Sequence, residues 1–324
     1  EWGEIIKKGN WSSLYNAVSK SNPWFTKESI DLALDGLNHY LDYKQLEMWS
    51  ASYAIPKMPS KTVGIIMAGN LPLVGIHDLI CSYISGHHTL IKTSSQDNLL
   101  IKGLWDEMIK LDPSGSRRIT FLSNFRADQI DAIIATGSDN TSRYFKYHYQ
   151  GIPGIIRGNR SSIAILKGNE PDQEIADLGL DMYSYYGRGC RNVSKLLVPV
   201  GYDFDVFFDR TTKYSYLTNN PRYFSNYKYQ KAIKTIQNID FRDNGFCLIM
   251  EHTDLISPLS VIHYEFYESL EQVHNTISGQ SSKIQCIASS KGWYPNSLPF
   301  GILQKPNLKD YADNIDTMEF LLKM

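Results

Sequence analysis

One cysteine stands in a setting that suits chemistry. Cys190 lies within "YYGRGCRNVSKLLVP", Tyr185 to Pro199, after a Gly-x-Gly turn and before an apolar run that reads as a strand. An isolated cysteine is most often a small core hydrophobe. A thiol that leaves a helix through a glycine turn is different, because small neighbours leave it clear and its own amide can point at a reacting carbonyl. A thiolate attacks thioesters and aldehydes readily and leaves well, which suits a two-step transfer through a covalent intermediate. Cys81, Cys247 and Cys286 sit inside apolar patterns such as "GFCLIM" and "IQCIASS" and read as packing residues. The four cysteines contain no C-x-x-C pair, and the eight histidines show no ligand spacing, so neither a disulfide framework nor a metal site is implied.

Other positions carry two readings each. Asn70, closing "KTVGIIMAGN", is a turn residue after a strand, since asparagine tolerates tight local conformations. Lys92, at the end of "HTLIK", is a solvated charge or a contact to ribose or phosphate. Gly137 and Ser138, in "TGSDN", form an ordinary helix cap or a set of backbone donors for a pyrophosphate. Arg157, Arg160 and Arg191 make salt bridges or phosphate contacts. His87 and His88 fill a tight turn, and the aromatic run "MYSYY", Met182 to Tyr186, reads first as core.

Alternating strands and helices must position these residues. The segment "TKESIDLALDGLNHYLDYKQLEMW" spaces its apolar residues as a helix does, with Thr26 and Glu28 near its N-cap. "KTVGIIMAGN" then reads as a strand, "LPLVGIHDLICSYISG" as a helix and "HTLIKTSS" as a strand. A second unit follows: helix "NLLIKGLWDEMIKL", strand "RITFLS", helix "RADQIDAIIA" and the turn "TGSDN". After the Gly/Pro-rich stretch 151–159, a natural boundary, the pattern resumes with "IAILK", helix "DQEIADLGLDMYSYY", the cysteine turn and strand "SKLLVPV". Such alternation predicts an α/β fold with doubly wound parallel sheets. The chain's 324 residues suffice for two domains, and 42% hydrophobic with 21% charged residues suits a globular enzyme. A net charge of −1 gives no general attraction to nucleic acid or anionic membrane. No apolar run is long enough for a membrane span, no secretory signal is evident, and reduced cysteines fit a cytoplasmic location. The missing initiator Met suggests that residues precede Glu1.

Taken in order, "MAGNLPLVGIHDLICSYISGHHTLIKTSS", "ATGSDNTSRYF", "IIRGNRSSIAIL", "GRGCRNVSKLLVP" and "FGILQKPNLKDYADNIDTMEFL" resemble the aldehyde dehydrogenase superfamily. They are most similar to its acyl-CoA reductase branch, the fatty-acid reductases of the bacterial luminescence (LuxC) type, from about Val63 to the C-terminus. The resemblance implies an aldehyde dehydrogenase-like fold: an N-terminal helical segment with a dinucleotide-binding domain over 1–155, a catalytic domain over 156–302, and a tail over 303–324 that packs on the cofactor domain or an oligomer interface. It implies that Cys190 is the nucleophile, that the Asn70 amide donates to the oxyanion beside the Cys190 N–H, and that Lys92, Ser95, Gly137 and Ser138 bind the cofactor.

Two departures from the superfamily pattern refine the expectation. The glutamate that activates hydrolytic water in oxidising relatives falls here at Ile156, which disfavours carboxylate formation and leaves transfer to and from a thiol. Ser95 stands where NAD-preferring relatives often carry a glutamate for the adenosine ribose, so NADPH is expected ahead of NADH. The implied reaction is reduction of a fatty acyl thioester to the aldehyde, the acyl donor being CoA or a carrier thioester, with "MYSYY" as a possible acyl tunnel. A homo-oligomer is expected, with an acyl-donor protein as a further partner. The alternative is an acyl-transfer or acyl-binding subunit that holds an acyl group on Cys190 without reducing it.

Overall fold

The computed structural model describes residues 2–9, 11–55 and 60–324. The chain divides into two compact units, Glu1–Asn159 with Pro306–Met324, and Arg160–Lys305. Unit 1 opens with helices α1 (Trp2–Lys8), α2 (Ser12–Ser21), α3 (Lys27–Tyr40) and α4 (Tyr43–Ser50). The Thr26 side chain accepts the Ser29 N–H at the start of α3, whose Ile30, Ala33, Leu34 and Leu37 form one buried stripe. The single helix expected from Thr26 to Trp49 is two, because Asp42 caps a new start by accepting from Gln45 N–H.

Strand β1 (Thr62–Ile66) leads to α5 (Ile76–Ser85), β2 (His88–Lys92), α6 (Asn98–Met108), β3 (Ile119–Phe121), β4 (Ala132–Thr136), α7 (Asp139–His148) and β5 (Gly154–Arg157). The sheet order is β3-β2-β1-β4-β5, and every pairing is parallel. Four of the five β1 residues are buried, as a central parallel strand covered on both faces requires. One expected helix is corrected here. In "RADQIDAIIA" only Ala127–Gln129 forms a short 3-10 turn, and Ala132–Thr136 is strand β4, paired with β1 and β5. A short apolar run buried on both sides lacks a decisive period, and its paired isoleucines favour the sheet. The stretch read as a boundary likewise contributes an edge strand, β5.

Unit 2 contains β6 (Ser161–Ile165), α8 (Asp172–Tyr183), β7 (Val193–Pro199), α9 (Phe204–Thr211), α10 (Pro221–Ile236), β8 (Arg242–Asp243), β9 (Leu248–Glu251), β10 (Val261–Tyr267), α11 (Leu270–Gln280) and β11 (Ile284–Ser289). Its sheet order is β11-β6-β7-β10-β9-β8, parallel except at the β8–β9 edge. The tail returns to unit 1 as α12 (Thr317–Leu322). There the buried Arg157 donates to both carboxylate oxygens of Asp78, at 2.6 and 3.0 Å, and to Thr317 Oγ1 at 2.9 Å. Trp49 Nε1 donates to Tyr311 Oη at 2.9 Å, and His87 Nε2 contacts the Leu321 carbonyl at 2.9 Å. Arg157 and His87 are therefore structural ties. Among the described residues no helix is long and apolar enough to cross a membrane.

Candidate functional site

Unit 1 presents a cleft of about 530 Å³ where its strands end. Ile66, Met67 and Ala68 follow from β1, Lys92 to Ser95 from β2, Leu122 and Ser123 from β3, and Thr136 from β4, with Thr141 and Phe145 of α7 closing the wall. Because the sheet order reverses between β1 and β4, this is the crevice in which open α/β sheets bind ligands. Lys92 and Ser95 line it, and none of its described lining residues is acidic. Gly137 and Ser138 lie between two residues that line it. The Ser138 side chain caps α7 by accepting the Thr141 N–H, and a Cβ on Gly137 would stand 2.8 Å from Thr141 Cγ2.

Asn70 lies half-buried in the turn between β1 and α5. A Cβ on the preceding Gly69 would stand 2.5 Å from Ser94 Cβ, so only glycine allows the β1 and β2 turns to approach this closely. Three residues beyond Asn70, Leu73 adopts φ 59°, a left-handed conformation that costs a non-glycine residue about 1–2 kcal/mol. Its N–H donates to Asp97 Oδ2 at 2.7 Å. Asp97 is buried, and its Oδ1 has no hydrogen-bond partner among the described residues. Burial pushes the carboxyl up to about 8, against the lowering effect of the Leu73 N–H.

In unit 2 Cys190 is half-buried on the connection from α8 to β7. Three successive residues there, Tyr185 (φ 53°), Tyr186 (φ 62°) and Gly187 (φ 74°), are left-handed. Only the last is a glycine, so the turn stores strain that its surroundings must hold. Asn192, 2% exposed, supplies much of that hold. Its Oδ1 accepts the Gly189 N–H at 2.7 Å, and its Nδ2 donates to the carbonyls of Asp181 and Ser184, both at 3.0 Å. Asp181, whose carboxylate accepts the amides of Gly301 (2.6 Å) and Leu303 (2.9 Å), is pushed up to about 7 by burial. In the same turn burial, and then the neighbouring Arg222, lower Arg188 to about 10.

Around Cys190 the strands begin irregularly. The β6–β7 register shifts between Ser162 and Ile163, and the β6–β11 register shifts between Ile284 and Ile287. Such irregularities take backbone groups out of the ladder and re-aim side chains. Here the Cys286 N–H donates to Ser162 Oγ at 3.2 Å, and Ser162 Oγ donates to the Cys190 carbonyl at 3.1 Å. Arg191 donates to Cys286 Sγ at 3.4 Å, and Arg160 to the Ile284 carbonyl at 3.3 Å. Cys286 is thus half-buried beside the Cys190 turn rather than within the core. Cys81 and Cys247 are fully buried, and burial raises both thiols, Cys247 to about 12, which makes them poor nucleophiles. Met182 and Tyr183 are core, with the Tyr183 ring 5.1 Å from Tyr214 and 5.4 Å from Phe246. Ile156 packs against the cluster of Ile66, Ile133 and Phe145.

Sequence reasoning passed over Asp97, Asn192 and Ser162. Asp97 precedes α6 and carries the signal of an N-cap, yet its side chain makes no cap bond and turns to Leu73. Asn192, two residues after the cysteine, had one usable signal, an amide side chain next to a glycine turn that needs donors and acceptors.

The family model described as acyl-CoA reductase (LuxC) matches residues 15–202. The chain is 26% identical over 171 residues to long-chain acyl-protein thioester reductase 2 of Photobacterium leiognathi, a match covering 48% of this chain and 35% of that protein. The chain therefore spans about a third of that relative. Among solved structures, the aldehyde dehydrogenase KauB from Pseudomonas aeruginosa is similar with a TM-score of 0.66 at 13% identity, over 89% of this chain and 70% of that one. A Mycobacterium tuberculosis aldehyde dehydrogenase complexed with NAD+ gives a TM-score of 0.63 at 14% identity, over 89% and 72%. The fold is that of the aldehyde dehydrogenases.

Proposed function

Because the chain belongs to the acyl-CoA reductase (LuxC) family, we propose that it reduces a fatty acyl thioester to the aldehyde through an acyl group held on Cys190. The observation that carries the reading is the placing of a half-buried thiol on a strained, clasped turn after α8, while Cys81 and Cys247 are sealed in the core. In the proposed reaction the Cys190 thiolate attacks the acyl carbonyl. A bond from its sulfur to the acyl carbon forms, and the bond to the donor thiol breaks. The negative oxygen is stabilised by the Cys190 N–H and the Asn70 side chain, donors aimed at charge that develops only in the transition state. A reduced nicotinamide, when bound, supplies hydride to that carbon. Cys190 then leaves as thiolate and frees the aldehyde.

The unit 1 cleft suits that cofactor. Its volume is in the range of small-molecule sites, and it joins Lys92 to the N-terminal end of α7, which offers backbone donors for a pyrophosphate. Gly137 and Ser138 shape that end. Ser95, in a lining whose described residues are all non-acidic, supports NADPH over NADH, because a carboxylate would repel a 2′-phosphate. CoA and protein-bound acyl groups are both donors of the required chemistry, and the Photobacterium relative's name refers to the second.

The test is a reaction of the purified protein with fatty acyl-CoA and either cofactor, followed by the absorbance of reduced nicotinamide and by mass analysis of the product. Acyl-dependent oxidation of NADPH with aldehyde as product is expected. Acyl transfer to the protein with no oxidation of either cofactor would contradict reduction and favour an acyl-holding subunit.

A further inference from the structure

We infer that Asn192 is the positioning residue that aims the Cys190 amide at the acyl carbonyl. The inference rests on the reading of Cys190 as an acyl-accepting nucleophile. Asn192 grips Gly189 from both sides: its side-chain Oδ1 takes the Gly189 N–H at 2.7 Å, and its own backbone N–H donates to the Gly189 carbonyl at 3.0 Å. The peptide that joins Gly189 to Cys190 is trans. In a trans-planar unit the N–H points opposite to the C=O, so fixing the Gly189 carbonyl fixes the direction of the Cys190 N–H. The next peptide is held independently by Ser162 Oγ on the Cys190 carbonyl at 3.1 Å.

The other half of the carboxamide anchors this grip. Nδ2 binds the Asp181 and Ser184 carbonyls, groups at the C-terminal end of α8 that the helix itself leaves without donors. The left-handed residues Tyr185, Tyr186 and Gly187 lie between the two halves of the clasp. Without it the turn can relax toward ordinary dihedrals and carry the Cys190 amide away from its aim.

The test compares two reactions of Cys190 that differ in their need for that amide. Acylation by a fatty acyl-CoA develops an oxyanion, whereas alkylation by iodoacetamide develops none. Single-turnover rates of both are followed by peptide mass analysis, which separates Cys190 from Cys286. Asn192→Ala should slow acylation roughly tenfold or more, since misaimed donors lose most of their effect. Alkylation should stay within about threefold, because it follows thiolate content and access. Asn192→Asp keeps an acceptor for Gly189, turns both donors into an acceptor facing the Asp181 and Ser184 carbonyls, and should show the same direction; it carries the test if Asn192→Ala does not fold. An unchanged ratio of the two rates, or equal losses in both, overturns the inference. A wild-type protein whose Cys190 is alkylated but never acylated instead overturns the reading of Cys190.

Discussion

Unit 1 gathers its candidate residues where parallel strands end, and unit 2 gathers its own where parallel strands begin. Lys92 and Thr136 end β2 and β4 and Ser95 follows β2, whereas Cys190 precedes β7 and Ser162 and Cys286 lie near the starts of β6 and β11. The first placement is the general one for open α/β sheets and uses a crevice that topology creates. The second lies at the opposite ends of the strands, and its geometry comes from two register shifts and a clasped turn. The units also share a device. Each holds a turn containing left-handed non-glycine residues by a buried Asp or Asn side chain that accepts a backbone N–H, Asp97 for Leu73 and Asn192 for Gly189. They differ in that Asp97 titrates and Asn192 does not.

The largest effect should come from Asn70→Ala, which removes a proposed oxyanion donor. Acylation of Cys190 should fall roughly a hundredfold or more, with NADPH affinity nearly unchanged, as single-turnover kinetics and cofactor titration would show. A loss confined to cofactor binding would assign Asn70 to the unit 1 cleft alone. A second readout, stability rather than rate, separates the two clasps by pH. The Asp97 carboxyl lies near 3.8 when unfolded and about 8 when folded, so its protonated form is the one that folding favours. Its contribution to stability is present below the unfolded value and is lost as pH rises through about 8. Relative to Asp97→Asn, the wild-type protein should lose stability between about pH 4 and pH 8, by at most about 1.4 kcal/mol per unit. Parallel unfolding curves for the two proteins would mean that Asp97 stays ionised. The smallest effect concerns specificity: Ser95→Glu should shift the preference from NADPH toward NADH by roughly tenfold, which corresponds to about 1.4 kcal/mol. Equal use of both cofactors by the variant and the wild type would remove Ser95 from the ribose site.

Much of this frame was legible in the residues. The strands at Thr62–Ile66, His88–Lys92 and Val193–Pro199 and the helices between them carry their own periodicity and turn signals. Ala132–Thr136 was not legible as a strand, because an apolar run this short fits either period until its neighbours β1 and β5 are known. The Asp78–Arg157–Thr317 network joins three distant segments and has no local signature. Asp97 was passed over for a related reason: its sequence position is that of a helix cap, and its buried side chain serves a turn 24 residues earlier. For the candidate site, glycine turns and a cysteine marked where chemistry could sit, while the side chains that hold those turns depended on contacts that only the fold creates.

The central claim is that Cys190 carries the acyl group. The direct measurement is peptide mapping by mass spectrometry after the protein is mixed with a fatty acyl-CoA in the absence of nicotinamide, then quenched in acid. The account predicts one acyl mass on the peptide containing Cys190, and none on Cys190→Ala protein that retains its thermal unfolding profile. Acylation of Cys190→Ala at the wild-type rate, or an acyl group on Cys286 in the unmutated protein, would contradict it.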